Sequence, residues 1–394
     1  MKRLTVLAAA VCAAVGVLVG LTLPPRRLLL SPVPDGTIAG ALHVHTDRSD
    51  GRSGAAEIAA AAARSGLKFI ALTDHGDATR APAPPAYYSG VLCLEGVEIS
   101  TEGGHLVVLD MPASPQAIWG AADTVAEQVR RLGGFAIIAH PDSPKAALRW
   151  QAWDIPFDGV EWVNPDTSWR IRAQAGWRQR FGLLQALLHY PFRPAETIAG
   201  LLTGSDETLA YWTAAASSRR VVGIAGVDAH AKLALRNSDP GDNRWSLPLP
   251  NYEALFRTLS VHIAPEQPLT GNAAADARLV MRAIRAGHLY TAIDGIASPP
   301  SFGFTATNAS GTAYQGDELG VGGPVSLHVR SNAPAGFTTT VWRNSEVFKS
   351  DRSGDFTVVA PEAPAVYRVE IRAAGANRGQ TWLLSNAIYV RERK

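Results

Sequence analysis

Between residues 37 and 297 the chain alternates short apolar runs with amphipathic stretches, and this rhythm predicts its elements. Ala55–Arg64 is alanine-rich, carries Glu57 near what would be the positive end of a helix, and is followed by Gly66 as a stop. The apolar run 67–72 then reads as a strand. Further strands are predicted at 91–99, 105–109, 135–139, 158–163 and 221–226, with a helix at about 121–132. Strands and helices in alternation imply a mostly parallel α/β sheet, and closing it into a (β/α) barrel would gather the strand ends around one mouth. Segment 166–220 is helical in pattern and rich in Trp and Arg, so it reads as an insertion between two barrel strands. Segment 231–251, with Asn237, Asp239, Pro240 and Gly241, reads as a loop able to cap the mouth.

Beyond Ser298-Pro299-Pro300 the period changes to two. Tyr367, Val369 and Ile371 are predicted to face inward while Arg368, Glu370 and Arg372 face outward, and Gly, Asn, Asp and Ser turns separate such runs. Residues 300–394 therefore predict a small all-β sandwich of immunoglobulin-like type.

The chemistry sits at the ends of the apolar runs. Six of the ten histidines fall there, beside Asp or Glu. His43 and His45 stand at i and i+2, so on an extended segment both imidazoles face one side. Asp228 and His230 repeat that spacing after the run 221–225. Between them come Asp74-His75 after 69–72, Glu98 in Gly96-Val97-Glu98, His105 in Gly103-Gly104-His105, and His140-Pro141 after 136–139. Each is expected at the downstream end of a strand. Mixed imidazole and carboxylate donors suit zinc, manganese or iron rather than calcium or a thiolate-bound cluster. Asp74 is expected to support a neighbouring ligand, and Glu161, Asn164 and Asp142 to line the site or merely cap their strands. His189, His262, His288 and His328 lie outside the pattern and are expected to be structural.

Length and composition add bounds. A chain of 394 residues exceeds what one core usually organises, so one large and one smaller domain are expected. A formal net charge of +2 gives no reason to expect a nucleic-acid partner, and a small-molecule substrate fits better. Lys2-Arg3 precede an uncharged stretch at 4–23, long enough to cross a bilayer as a helix, and a convincing small-x-small cleavage site is missing. Residues 1–30 are therefore expected to be an uncleaved signal anchor, or otherwise a signal peptide, and either exports the folded part. Cys12 and Cys93 offer neither a disulfide nor a cysteine metal site. Lys145, Lys232 and Arg236 follow ligand-bearing segments and are weak candidates to contact an anionic substrate. The 169–180 run of Trp and Arg is expected to be a solvated helix face with aromatic anchors.

Taken in order, Leu42-His43-Val44-His45-Thr46 with Ser49-Asp50-Gly51, Thr73-Asp74-His75, Gly96-Val97-Glu98, Ala139-His140-Pro141 and Gly226-Val227-Asp228-Ala229-His230 closely resemble the PHP (polymerase and histidinol phosphatase) superfamily over residues 38–297. Gly104-His105, the C-terminal sandwich and Leu384-Ser385-Asn386 look most like its exported members related to carbaryl hydrolase. The resemblance implies a distorted seven-stranded (β/α) barrel holding two or three divalent ions. It places His43, His45, Glu98 and Asp228 on the first ion, Glu98, His105 and His140 on the second with Glu98 bridging, and Asp50, His75 and His230 on the third. Asp50 stands where some relatives have histidine. Catalysis is expected to depend on Glu98, Asp228 and His230.

The ions would bring the pKa of a bound water from 15.7 towards about 7 for attack on phosphorus or a carbonyl carbon. Phosphomonoester or phosphodiester hydrolysis is the leading expectation. Carbamate, ester or amide hydrolysis is the alternative that the C-terminal architecture suggests, and a non-catalytic cell-surface binding protein is a third.

Overall fold

In the computed structural model, the strand Ile38–Val44 is the hub of the molecule, paired along both edges. The described residues are 19–234, 244–375 and 379–392, with Thr5, Ala13, Gly16 and Val17. On one side the hub runs parallel to Phe69–Leu72, with Ala41 opposite Ile70; on the other it runs parallel to Val222–Ala229, with Leu42 opposite Gly226. Phe69–Leu72 pairs in parallel with Val91–Glu95, which bends at Gly96 into Val97–Thr101. From there the pairing passes to Gly104–Leu109, Phe135–Ile138, Gly159–Val163 and Val222–Ala229, and so returns to the hub. A bridge between His75 and Glu98 joins the remaining gap, so the circuit of strands is closed.

These strands are buried on both faces, which is why Phe135–Ile138 and Val222–Ala229 read as unbroken apolar runs rather than alternating ones. The helices lie outside. Ala55–Arg64 buries Ile58, Ala59, Ala61 and Ala62, and ends as predicted at Gly66, whose φ is +83°. Ala122–Arg131 buries Val125, Ala126 and Val129. Segment 166–220 is helical, as its pattern predicts: Pro165–Gln174, Trp177–His189, Pro194–Leu201 and Asp206–Ser218 lie between the strands Gly159–Val163 and Val222–Ala229.

Two expectations change, and a third falls largely outside the described residues. Gly104–Leu109 is antiparallel to both its neighbours, so His105 reaches the mouth from the beginning of its strand and not from the end. Within 231–251, Leu233–Ala234 pairs with Ser246–Leu247 as the two arms of a short antiparallel ribbon, whereas Arg236, Asn237, Asp239, Pro240 and Gly241 lie outside the described residues. Of the stretch 4–23, most residues including Cys12 also lie outside the description; among the described residues no helix is long and apolar enough to cross a membrane.

The sheet does not stop at this circuit. Ser260–Ile263 lies antiparallel to the beginning of the hub, Leu289–Ala292 pairs with it, and Thr381–Ser385 pairs with Leu289–Ala292. The C-terminal strands Ala365–Arg372 and Thr338–Arg343 extend that same sheet. A second, four-stranded sheet of Gly311–Tyr314, Phe302–Asn308, Val325–Ser331 and Asp355–Ala360 shares one apolar cluster with it, including Phe304, Leu327, Val341, Val369 and Trp382.

On Ala365–Arg372 the in-and-out prediction fails for two residues. Arg368 and Glu370 are buried, because the Arg368 guanidinium lies over the rings of Trp212 and Trp342 while Glu370 accepts hydrogen bonds from Trp342, Arg372 and Thr381. Trp212 belongs to the inserted helix Asp206–Ser218, so that helix covers a face which the sequence pattern assigns to solvent.

Candidate metal centre

Two irregularities aim the first ligands. The pairing of the hub with Phe69–Leu72 shifts register between Ala41 and Val44, and its pairing with Val222–Ala229 shifts between Gly226 and Ala229. His43 and Asp228 sit in these shifts with φ of +64° and +49°, and His140 follows its strand at +32°. Positive φ in non-glycine residues is uncommon and collects where a fold fixes a side chain for a task. A bulge also turns a side chain that strict alternation would point elsewhere. His43 and His45 therefore share a side through a bulge, not through the simple extended spacing read from sequence.

All nine expected ligands come together. His43 Nε2 lies 3.3 Å from Glu98 Oε2 and 3.4 Å from Asp228 Oδ1, and His45 Nε2 stands at the same two distances from the same two atoms. Donors each about 2.1 Å from one tetrahedral ion stand roughly 3.4 Å apart, and each imidazole stands at that spacing from both carboxylates. The other oxygen of Glu98, Oε1, is 2.8 Å from His105 Nδ1 and 2.9 Å from His140 Nε2. A third group lies towards solvent, where Asp50 Oδ1 is 3.2 Å from His230 Nε2 and Asp50 Oδ2 is 3.8 Å from His75 Nε2. His75 Nδ1 is also 3.2 Å from Glu98 Oε2, which ties this group to the rest.

The donor atoms fit a cation. His43 Nε2 and both ring nitrogens of His45 are buried without a hydrogen-bond partner, a costly state for polar atoms unless something coordinates them. The electrostatics point the same way. Burial by itself would raise the Glu98 carboxyl, yet His43, His75, His105 and His140 hold it well below the ordinary range. Burial likewise opposes the ionisation of Asp228, and His43, His230, His45 and His140 reverse the effect. His140 and His230 are each raised to about 9 despite burial, His140 chiefly by Glu98 and His230 chiefly by Asp228 and Asp50. His75, partly exposed, is lowered by partial desolvation and by the imidazoles of His45 and His230. The pocket thus demands positive charge beside its carboxylates, and divalent ions would supply it in place of protons.

A surrounding layer orients the ligands. Glu161 Oε1 accepts from His43 Nδ1 at 2.6 Å, and its Oε2 accepts from the His140 backbone N–H at 2.7 Å and from Asn164 Nδ2 at 2.9 Å. A carboxylate behind a metal-binding imidazole fixes the tautomer and turns the other nitrogen inward. Gly226 makes room for it, since a Cβ there would lie 1.9 Å from Glu161 Oε1. Asn164 also reaches Asp228 Oδ2 at 3.2 Å, and its Oδ1 caps the helix Pro165–Gln174 at Thr167 N–H. Asp74 belongs to none of the groups of donors close enough to share an ion. It accepts from Thr46 and Ser49 and so holds the 45–50 turn that carries Asp50.

Other candidates fall away. Asp142 accepts from Thr208 Oγ1, and His189, His288 and His328 are occupied by Thr22, Asp317 and Asp355. His262 stacks on Tyr290. Lys145 is exposed, whereas Lys232 lines a cavity beside Asp228 and His230. Trp169 donates to Asp166 and lines that cavity, but Trp177 is exposed rather than an anchor. Arg48, marked in the sequence only by lying between Thr46 and Asp50, pairs with Asp74 and Glu95. Arg170 pairs with Asp166, and the charges of Asp228 and Asp50 also act on it.

No protein family model matches the chain, and no curated protein does. Solved structures with some likeness include a two-domain protein containing a predicted PHP-like metal-dependent phosphoesterase from Bacteroides vulgatus, at 13% identity over 92% of this chain and 99% of that one, with a TM-score of 0.39. A putative metal-dependent phosphoesterase from Bifidobacterium adolescentis aligns at 13% identity over 52% of this chain and 89% of its own, with a TM-score of 0.29. An amidohydrolase from Chromobacterium violaceum, with bound sulfate and no metal, aligns at 16% identity over 54% and 92%, with a TM-score of 0.28. At such scores the likeness is too loose to transfer an activity, and the chemistry has to come from this chain's own residues.

Proposed function

We propose that this chain is a metal-dependent hydrolase of the PHP kind and acts as a phosphoesterase on a small-molecule phosphomonoester or phosphodiester. In this reading the closed circuit of strands is the distorted seven-stranded barrel, 38–297 is the catalytic part, 300–394 an immunoglobulin-like sandwich, and residues 1–30 export the chain or anchor it. Glu98 carries the argument: one of its oxygens lies among His43, His45 and His75, and the other between His105 and His140. A buried carboxylate divided in this way is what two adjacent ions require of a bridging ligand.

His43, His45, Glu98 and Asp228 would hold one ion, Glu98, His105 and His140 a second, and Asp50, His75 and His230 a third, each zinc, manganese or iron. When bound, the ions supply water of lowered pKa and neutralise charge that develops on the substrate oxygens. The residues do the rest. Glu161 keeps the proton of His43 on Nδ1, leaving Nε2 as a donor to metal. Asn164 holds Glu161 and Asp228 in fixed relation. Arg170, paired with Asp166 and within electrostatic range of Asp228 and Asp50, would supply a positive charge for a phosphoryl oxygen, which favours a phosphoester over a neutral ester or carbamate.

The test is elemental analysis of the purified chain followed by assay of the metal-replete protein on phosphomono- and phosphodiesters beside aryl carbamates and carboxylic esters. Turnover of phosphoesters, lost on chelation and restored by metal, is expected. His43→Ala and Asp228→Ala are expected to abolish it. Full activity in either metal-replete variant would sink the reading, and turnover of carbamates alone would move the enzyme to the other bond class.

A further inference from the structure

Beside the carboxylate and imidazole of Asp228 and His230 opens a cavity of about 280 Å³, and apart from that edge its walls are mainly apolar. Trp169, Leu183, Leu187, Ile198, Leu202 and Leu249 line it, most of them drawn from the inserted helices Pro165–Gln174, Trp177–His189 and Pro194–Leu201. A hydrolase acting only on compact, fully charged phosphates would have no use for such a chamber at its centre. A cavity of that size has room for many water-sized groups, enough for an alkyl chain or a ring.

We infer that the substrate is an amphiphile, an ester whose alkyl or acyl tail occupies this chamber while its phosphoryl group meets the metal cluster. The inference rests on the phosphoesterase reading and names its substrate class. Lys232, on the chamber wall next to His230, would lie on the headgroup side. The outer surface of the same insertion supports it. Helix Trp177–His189 turns an uncovered apolar stripe outward, with Trp177, Phe181, Leu184 and Leu188 exposed by 74%, 52%, 59% and 44% at the spacing of one helical face. Arg178 and Arg180 lie on the same helix, a composition that suits the surface of a bilayer. The chain leading from the apolar stretch 4–23 packs here too: Thr22 meets His189 at 2.9 Å, and Arg193 donates to the carbonyl of Pro24. One face of this helix thus lines the chamber, and the other is built to lie on lipid.

The experiment uses the full metal-replete chain and p-nitrophenyl phosphodiesters carrying methyl, butyl, hexyl or octyl groups. KM is expected to fall about threefold to fourfold per added methylene until the chamber is full, with kcat changing less. Leu183→Trp, which narrows the chamber, is expected to flatten that series. Hydrolysis of every member at one KM would overturn the inference and leave the phosphoesterase reading standing. If no phosphodiester is turned over, the reading fails, and calorimetry still decides the chamber. Octyl phosphate is expected to bind at least about tenfold more tightly than inorganic phosphate, an advantage lost in Leu183→Trp; equal affinities would overturn it. The source of the amphiphile is read by presenting a long-chain phosphodiester in phosphatidylcholine and phosphatidylglycerol vesicles to a Trp177→Ser, Phe181→Ser double variant. Loss confined to the vesicle-borne substrate identifies the bilayer as the source, and unchanged turnover identifies solution.

Discussion

Glu161 shows how much a single carboxylate can organise without touching an ion position. It holds the His43 ring, the His140 backbone and the Asn164 amide at once. Glu161→Gln is therefore expected to lower metal affinity about tenfold to a hundredfold, as removal of such partners does elsewhere, and chelator competition would measure it. Unchanged affinity would reduce Glu161 to packing. A second prediction concerns His262, lowered to about 4 by burial, with Asp35 opposing only in part. Its ring contacts Tyr290, Thr37 and Ser260, and Ser260 in turn donates to Asp294, itself raised to about 6 by burial. A histidine depressed in the fold stabilises it fully above its ordinary pKa, and that contribution is lost as pH falls from about 6.5 towards 4. The loss comes to roughly 3 kcal/mol for a shift of this size. His262→Gln should flatten the stability profile in that window in denaturant titrations, and an unaltered acid limb would refute the assignment. At this scale the clustered donors were legible, because a histidine or carboxylate at the end of an apolar run has few other uses in such numbers. Glu161 and Asn164 were not, since a polar residue ending a strand reads the same whether it caps a helix or steers an imidazole.

The elements that matter most are the ones bent away from regularity. The hub strand and Val222–Ala229 carry their ligands in register shifts, so regular pairing is given up where His43 and Asp228 must turn inward. Helix Pro165–Gln174 begins on Asn164, with Pro165 in its first turn, and thereby couples a helix start to the cluster. Asn164→Ala should cost about 1 kcal/mol in unfolding free energy and also weaken metal binding. A loss of stability alone would mean that the cap is separable from the site. Most strand positions were readable within a residue or two, because strands buried on both faces are apolar throughout, although 91–99 is divided at Gly96 and 221–226 runs on to Ala229. The direction of Gly104–Leu109 was not, since an apolar run looks alike read either way and only its neighbours decide which end meets the mouth.

At the scale of the whole molecule, the C-terminal strands are continuous with the sheet of the hub strand through Leu289–Ala292 and Thr381–Ser385, and the inserted Trp212 lies beneath Arg368. Calorimetry of the full chain is accordingly expected to show one cooperative transition rather than two. A chain ended after residue 297 would expose the edge of Leu289–Ala292 and is expected to aggregate. Two well-separated transitions, or a soluble and stable truncated barrel, would show that the two parts are independent.

The sequence by itself determined the alternation of strands and helices over most of 55–226, the change of texture near Ser298, and the identity of nine donor side chains that the fold gathers. Those features depend on local periodicity and on donor chemistry, which survive in one dimension. Tertiary structure alone decided how Glu98 divides its two oxygens, which side chains stand behind the imidazoles, why Arg368 and Glu370 are buried, and that an apolar chamber opens beside Asp228 and His230. Each of these is a distance between residues tens or hundreds of positions apart. Such distances are set by how the strands close and how the inserted helices pack against them, which no local pattern encodes.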